Sequence, residues 1–158
     1  MGTGRGYWLF KSDPDTFGWD DLVQSPGRTT RWDGVRNYQA RNSLRDAVRQ
    51  GDGVLFYHSQ AERAVVGTAE VVRAGYADPT QFDRGSPGYD PESPKDAPRW
   101  IAVDLRAEEP LPVPVTLQAM RGVPALRDFP LLRRGQRLSV LPVSAREWEA
   151  VLRLGKLA

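Results

Sequence analysis

Val-Leu-Phe-Tyr-His-Ser at residues 54–59 and Ala-Val-Val-Gly-Thr-Ala-Glu-Val-Val at residues 64–72 are the two stretches that decide the fold. Both are rich in β-branched and aromatic residues, which favour β-strands. The polar connection at residues 60–63 is short enough to join them as an antiparallel pair. Gly67, inside the second stretch, indicates a bend or a close approach of another segment, as barrels require. We therefore expect a sheet protein built around this hairpin.

Shorter patterns on either side of the hairpin predict the remaining elements. Strands are predicted at residues 7–11, 99–105 and 138–143. Helices are predicted where apolar residues recur at helical spacing, and Ser144 and Glu147 form a capping box before the last one. The helical segments are residues 17–23, a helix beginning near Asn37, one or two turns at residues 116–121, and a terminal helix after Ser144. The expected class is α+β, a mostly antiparallel β-barrel flanked by about three helices.

The totals describe an ordinary globular protein. The chain has 158 residues, of which 27% are charged, and a formal net charge of +2, so no strongly basic tail indicates a polyanion partner. Cysteine is absent, which excludes disulfides, thiol catalysis and cysteine-ligated metals. Because no signal peptide or long apolar run is visible, we expect a cytoplasmic protein without a membrane partner. Residues 1–5 are expected to form a flexible tail.

A second stretch, Trp-Asp-Gly-Val-Arg-Asn-Tyr-Gln-Ala-Arg-Asn at residues 32–42, concentrates aromatic, amide and arginine side chains. Aromatic faces stack on a flat heterocycle, amides read its edge, and guanidinium groups bind phosphate. The same residue types also suit a simpler interpretation, in which Trp32 and Tyr38 are core aromatics beside an ordinary helix start. Composition alone leaves both interpretations open.

Polar residues also follow the ends of the predicted strands. Lys11 and Ser12 end the first strand, His58 and Ser59 end the first strand of the hairpin, and Arg137 precedes the last strand. If the barrel closes, several of these groups line one mouth, which is where barrels hold ligands. The alternative for His58 is a hydrogen-bonded histidine in the barrel wall.

Catalysis has no positive support in the sequence. His58 is the only histidine, and Ser59 beside it points to the opposite face of a strand, so the two do not form a nucleophile–base pair. Metal-ligand spacings and phosphate-cradling glycine motifs are absent. We therefore expect a non-enzyme without metal or cofactor. Two alternatives remain, a hydrolase or nucleotide-processing enzyme that uses His58, and a protein-interaction module whose basic ridge, Arg41, Arg45 and Arg49, meets an acidic partner.

Five motifs, in this order, resemble the EVE domain family of the PUA-like superfamily. They are Tyr-Trp-Leu-Phe-Lys-Ser-Asp-Pro at residues 7–14, the stretch at residues 32–42, Phe-Tyr-His-Ser at 56–59, Tyr-Ala-Asp-Pro-Thr-Gln-Phe-Asp at 76–83, and Arg-Leu-Ser-Val-Leu-Pro-Val at 137–143. The resemblance runs over residues 6–153 and implies a single PUA-like domain. Asp13 stands where the family more often has glutamate. EVE domains are similar in fold to YTH domains, which read N6-methyladenosine in RNA.

The resemblance implies non-catalytic binding of a modified nucleobase. The base would be methylated or hydroxymethylated cytosine in DNA, or a modified base in RNA, flipped into an aromatic pocket at the barrel mouth. Trp32 is implied as the stacking aromatic, and the protein is expected to act as a monomer. The expected pocket residues are Lys11, Ser12, Trp32, Asp33, Val35, Asn37, Tyr38, Gln39, His58 and Ser59, and the residues expected to approach the nucleic-acid backbone are Arg36, Arg41, Arg134 and Arg137.

The resemblance also implies a second aromatic wall for this pocket, supplied by the long loop at residues 75–98, which is rich in proline and glycine. Loops of this length inside compact domains are usually functional. The sequence does not rank the candidates, which are Tyr76, Phe82, Tyr89 and, just after the loop, Trp100, although Trp100 also suits a core position.

Overall fold

The computed structural model describes residues 5–157, and within that range it contains a six-stranded mixed sheet with four α-helices. Four single 3₁₀ turns connect these elements, at Pro26–Arg28, Pro79–Phe82, Pro124–Leu126 and Pro130–Leu132. The elements in chain order are β1 (Tyr7–Ser12), α1 (Trp19–Gln24), β2 (Thr29–Trp32), α2 (Tyr38–Asp46), β3 (Gly53–His58), β4 (Ala64–Ala77), β5 (Ile101–Thr116), α3 (Leu117–Arg121), β6 (Val140–Val143) and α4 (Ala145–Leu154).

The strands lie in the order β2-β5-β4-β3-β1-β6. All neighbours are antiparallel except β1 and β3, so the predicted α+β class and mostly antiparallel sheet are confirmed, and β3 and β4 form the predicted hairpin. The sheet is not closed, because β2 and β6 are its two edges. The β4–β5 pairing shifts register at four points, and such bulges bend strands. A barrel is therefore an approximate description of a bent, open sheet.

The strand β5 is longer than predicted. It runs without interruption through Pro110, Pro112 and Pro114, whereas the sequence predicted a strand only at residues 99–105. Its neighbour β2 pairs only with residues 103–106, so the later half of β5 has a ladder on one side alone. Proline, which lacks an N–H donor, is tolerated on such an unpaired side.

Both faces of the sheet are buried, because side chains alternate along each strand. Trp8, Phe10 and Phe56 lie on one face, which we call the α2 face, and pack with α1 and α2. Leu9 and Leu55 lie on the other face, which we call the α4 face, and pack with α3 and α4. Two hydrophobic cores therefore hold the same strands in place from opposite sides.

Gly67 is the close approach that the sequence predicted. The indole of Trp19 packs directly on its backbone, and a Cβ at position 67 would lie 2.5 Å from the ring. Real Cβ atoms essentially never come this near another heavy atom, so only glycine fits here without moving Trp19.

The long loop between β4 and β5 is ordered by hydrogen bonds to its own first and last residues. The Gln81 side chain donates to the carbonyls of Asp78 (2.7 Å) and Trp100 (2.9 Å). It accepts from the Trp100 N–H, and the indole of Trp100 donates to Asp90 at 2.8 Å. Gln81 and Trp100 are buried, so the loop is anchored around them at one side of the sheet.

The predicted tail at residues 1–5 lies outside the described residues except for Arg5. The Arg5 guanidinium donates to the carbonyl of Gly51 at 3.0 Å and lies 5.5 Å from the ring centre of Tyr7. Over residues 5–157, no helix is both long and apolar enough to cross a membrane.

Candidate nucleic-acid interface

A cavity of about 380 Å³ opens where β1 ends, between the edge strand β2 and the turn that follows β1. Its aromatic residues, Trp32 and Phe17, pack on the core of the α2 face. Its volume falls within the range of small-ligand sites, roughly 300–1,000 Å³. We call it the Trp32 cavity, and its lining residues are Ser12, Thr16, Phe17, Thr30, Arg31, Trp32 and Asp33.

Trp32 is half-buried and held by other rings. Its indole meets Phe10 and Phe56 edge to face, with centroid distances of 5.5 and 5.7 Å. Such contacts fix a ring in place, since aromatic pairs prefer this geometry. Trp32 is thus both a core aromatic and a wall of the cavity, and it does not have to be ordered when a ligand binds.

Phe17 is the second aromatic of the cavity, and its place there was not predicted from the sequence. The carbonyl of Asp13 accepts from the N–H groups of Thr16 and Phe17, so the chain turns back immediately after β1. The Ser12 hydroxyl then donates to the Phe17 carbonyl at 2.5 Å. The Ser-Asp-Pro motif at residues 12–14 is the only sequence signal for this turn, because it marks where the strand must stop.

The long loop does not supply an aromatic wall in this structure. Tyr76 donates its hydroxyl to Asp104, and burial together with that hydrogen bond raises the pKa of its phenol. Trp100 is buried under Tyr38, with ring centroids 4.9 Å apart. None of the four candidates, Tyr76, Phe82, Tyr89 and Trp100, lines the Trp32 cavity.

Only the first two residues of the stretch at 32–42 line the cavity. Val35 is buried in the core of the α2 face. Asn37 is the N-cap of α2, and its side chain accepts from the Ala40 N–H at 3.0 Å. Tyr38 is 52% exposed on the outside of Trp100, and Gln39 is exposed on the first turn of α2. These four predicted pocket residues build or flank the helix.

Arg36 anchors the long loop. Its guanidinium makes an ion pair with Asp78 at 2.9 Å, and it donates to the Thr80 hydroxyl and the Gly88 carbonyl. Burial raises the pKa of Asp78, but hydrogen bonds from Thr80, the Gly34 N–H and Arg36 outweigh it and hold the pKa below its ordinary value. The geometry therefore does not favour the predicted phosphate contact for Arg36.

Two of the three arginines of the basic ridge, Arg41 and Arg45, make contacts within the protein, and the third, Arg49, lies beyond the end of α2. Arg41 donates to the Arg99 carbonyl at 2.6 Å and to the Asn42 side chain at 2.8 Å. Arg45 makes an ion pair with Asp46 at 2.8 Å. These contacts weaken two predictions, a backbone contact for Arg41 and an acidic protein partner for the ridge.

His58 is a hydrogen-bonded residue at the end of β3, beside α1. Its Nε2 accepts from the Trp19 N–H at 3.0 Å, and its Nδ1 lies 2.9 Å from a Glu62 carboxylate oxygen. These partners suit the neutral tautomer protonated on Nδ1, in which both ring nitrogens are occupied. Ser59 donates its hydroxyl and its N–H to the carbonyl of Ser12. Neither residue lines the Trp32 cavity.

A second depression, of about 420 Å³, lies on the α4 face at the same end of β1. Lys11 is at its base, where the ammonium donates to the Gln136 carbonyl at 3.3 Å and burial lowers the pKa of the amine. None of its basic residues makes an ion pair with another residue of the described range. We call it the basic cleft, and its cationic residues are Lys11, Arg63, Arg121, Arg133, Arg134 and Arg137.

The basic cleft combines predicted and unpredicted residues. Arg134 and Arg137, predicted to approach the backbone, lie in it, and Lys11 and Ser59 line it instead of the aromatic pocket. Arg63, from the β3–β4 hairpin, and Arg121, from α3, were not predicted. They are far apart in the sequence, and only the folded chain brings them together.

The mixed sheet, with helices packed on both of its faces, defines a small α+β domain, and solved structures of similar fold exist. A solved protein of Pseudomonas syringae is 40% identical to this chain, with a TM-score of 0.88, and the match covers 94% of this chain and 99% of that one. A solved structure of the human THYN1 protein in complex with DNA containing 5-methylcytosine is 36% identical, also with a TM-score of 0.88, over 96% of this chain and 98% of that one.

Sequence comparison gives the family. The model of the EVE domain matches residues 6–154. Human thymocyte nuclear protein 1 is 38% identical over 167 residues, which are 94% of this chain and 73% of that protein. The chain belongs to the EVE domain family, as its motifs predicted.

Proposed function

We propose that this protein is a non-catalytic reader that binds DNA carrying a modified cytosine, with the base flipped into the Trp32 cavity. The observation that carries the proposal is the preformed cavity itself, with Trp32 and Phe17 as its aromatic residues and polar groups at its rim. The human relative that was solved with 5-methylcytosine DNA supports the choice of ligand, because its fold matches this chain over nearly all of its length.

The energetics of a flipped base suit such a cavity. Taking a base out of a duplex costs a few kcal/mol, and stacking on an aromatic side chain returns about 1–3 kcal/mol per base. Trp32 and Phe17 are already held in place by the core, so little conformational entropy is lost when a base enters. Binding then depends strongly on these two rings.

The basic cleft supplies the phosphate contacts in this proposal. None of its six cationic side chains makes an ion pair within residues 5–157. Lys11, Arg63 and Arg121 each donate to a backbone carbonyl, which leaves their positive charge unpaired and able to attract an external anion. The protein as a whole has a formal net charge of only +2. Positive charge is therefore concentrated at the end of β1, on the face of the sheet opposite the Trp32 cavity, and this favours binding at one site over coating of the duplex.

A binding role fits the chemistry of the site better than a hydrolytic one. A histidine that acts as a general base needs a free nitrogen lone pair. The two ring nitrogens of His58 are already hydrogen-bonded, one to the Trp19 N–H and the other to the Glu62 carboxylate. In the described part of the chain, no group of three or more Asp, Glu or His side chains is placed to hold a metal ion.

Trp32→Leu tests the proposal. The substitution removes the stacking surface but keeps an apolar side chain against Phe10 and Phe56, so the fold is retained. Fluorescence anisotropy with short duplexes that contain one 5-methylcytosine, one 5-hydroxymethylcytosine or unmodified cytosine should show tighter binding to a modified duplex. Trp32→Leu should weaken that binding by about tenfold or more.

Trp148→Phe is the matched control, because Trp148 packs on Tyr7 on the α4 face, away from the cavity. It should bind as the parent does. Equal affinity of the parent and Trp32→Leu for the modified duplex would overturn the pocket assignment. Tighter binding of a modified RNA than of every modified DNA would overturn the choice of DNA.

A further inference from the structure

Two charged side chains flank Trp32 at the rim of the cavity. Arg31 and Asp33 are the only charged residues among those that line it. They lie on or next to β2, an edge strand, and 46% of the Arg31 side chain and 33% of the Asp33 side chain are exposed. Arg31 alternates with Trp32 along β2, so it borders the cavity from the other side of the strand, with Asp33 beside it. A ligand in the cavity therefore has one cation and one anion next to each other at its rim.

The pair keeps most of its hydrogen-bonding capacity. Arg31 Nε donates to Asp33 Oδ2 at 2.8 Å, and this is the single bond between them. Within residues 5–157, the other carboxylate oxygen and both terminal nitrogens of the guanidinium have no hydrogen-bond partner. The hydrogen bond to Asp33 raises the pKa of Arg31, so the guanidinium stays protonated. The rim thus offers a fixed acceptor next to fixed donors.

We propose that Arg31 and Asp33 read the hydrogen-bonding edge of the flipped base and select cytosine over thymine. Cytosine presents an N4 amino donor next to the N3 and O2 acceptors. The Asp33 carboxylate accepts from the amino group, as acidic side chains do for this base, and the Arg31 guanidinium donates to the ring acceptors. Thymine presents an O4 acceptor and an N3–H donor. Its O4 would lie opposite the Asp33 carboxylate, acceptor against acceptor, and its N3–H opposite the Arg31 guanidinium, donor against donor.

Thymine is the informative comparison for the hydrogen bonds with Arg31 and Asp33, because it carries the same C5 methyl group as 5-methylcytosine and differs from it at the hydrogen-bonding edge. The aromatic walls of the cavity do not distinguish the two bases by shape, so any preference between them comes from the edge. The inference rests on the proposed function, since it assigns a role to two residues of the same cavity.

The experiment measures binding of duplexes with 5-methylcytosine, cytosine or thymine opposite one guanine. The thymine–guanine mismatch opens more easily than a paired base, so a preference for 5-methylcytosine over it is a conservative measure. The parent protein should bind the 5-methylcytosine duplex at least tenfold more tightly than the mismatch. Asp33→Asn turns the acceptor into a group that also donates, and the preference should fall below about threefold.

Asp46→Asn is the matched control, because Asp46 also pairs with a neighbouring arginine at 2.8 Å, on the exposed side of α2. It should keep the parent preference. If Asp33→Asn keeps that preference, or weakens all three duplexes equally, the edge-reading role is wrong. If the parent binds the 5-methylcytosine duplex no more tightly than the thymine mismatch, the edge-reading role is also wrong. If the parent binds 5-methylcytosine no more tightly than cytosine, the proposed function itself fails.

Discussion

Lys11 and Ser12 are neighbours in β1, yet their side chains leave the sheet on opposite faces. Ser12 lines the Trp32 cavity on the α2 face, and Lys11 lies at the base of the basic cleft on the α4 face. This follows from the alternation of side chains in a strand. A nucleic acid that fills both depressions therefore crosses the end of β1, with a base on one side of the strand and phosphates on the other.

Lys11→Met should weaken DNA binding without destabilising the fold. The loss of one phosphate contact should weaken DNA binding and reduce the slope of log affinity against log salt by about 1. Because burial lowers the pKa of the Lys11 amine, the charge is costly in the folded state, and its removal should not lower the free energy of unfolding. Salt titrations by anisotropy and urea unfolding measure the two quantities.

Lys95→Met is the control for this measurement, since Lys95 is an exposed lysine of the long loop, outside the basic cleft. It should leave the salt slope unchanged. An unchanged slope for Lys11→Met would show that Lys11 does not contact the phosphate backbone.

Phe17→Leu should weaken binding of the modified duplex by about 1–2 kcal/mol, because one of the two aromatic residues of the cavity is lost. The side chain is partly buried, and leucine keeps most of its apolar contacts with the core of the α2 face. The comparison is with Phe82→Leu, which alters a candidate from the long loop. If Phe82→Leu weakened binding and Phe17→Leu did not, the loop would provide the second wall after all.

Asp78→Asn should destabilise the protein by roughly 2–4 kcal/mol at pH 7, because it breaks a buried ion pair with Arg36. The pKa of Asp78 is held below its ordinary value in the folded state. The contribution of the Asp78 carboxylate to the free energy of unfolding is therefore complete above its unfolded-state pKa, about 3.9. It is lost as the pH falls through the folded-state pKa. Urea unfolding at pH 7 and pH 3 should show a smaller difference from the parent at pH 3.

The exposed residue Asp96 provides the comparison, since Asp96→Asn should change stability by less than about 0.5 kcal/mol. If the free energies of unfolding of the parent and Asp78→Asn differed by the same amount at pH 7 and pH 3, the carboxylate charge would not be the stabilising feature.

The sequence predicted the features that depend on neighbouring residues. The hairpin of β3 and β4, the close approach at Gly67 and the capping box before α4 follow from composition, spacing and side-chain chemistry. The exits of β1 and β3 were also placed correctly at one end of the sheet, because a strand pattern shows where the strand stops.

The composition of the site was harder to predict because it depends on the direction of each side chain. Lys11 and Ser12 were assigned to one pocket, although alternation along β1 sends them to two. Asn37 has the amide chemistry of a base reader, but the same oxygen caps a helix, and the cap is what the fold uses. Phe17 lies in the cavity because the chain turns after Asp13. The sequence did not predict this position, since the pattern at residues 17–23 indicated only a helix.

The position of β1 also affects when the protein becomes functional during its synthesis. This strand lies between β3 and β6, and the hydrogen bond from Lys11 to Gln136 joins residues 125 positions apart. A nascent chain on the ribosome carries Trp32 and Phe17 early, but the basic cleft is complete only after residues 133–137 have emerged. Slow closure of such long-range contacts is a property of strand pairing. On the proposed function, DNA binding becomes available only after residues 133–143 have left the ribosome and β6 has docked on β1.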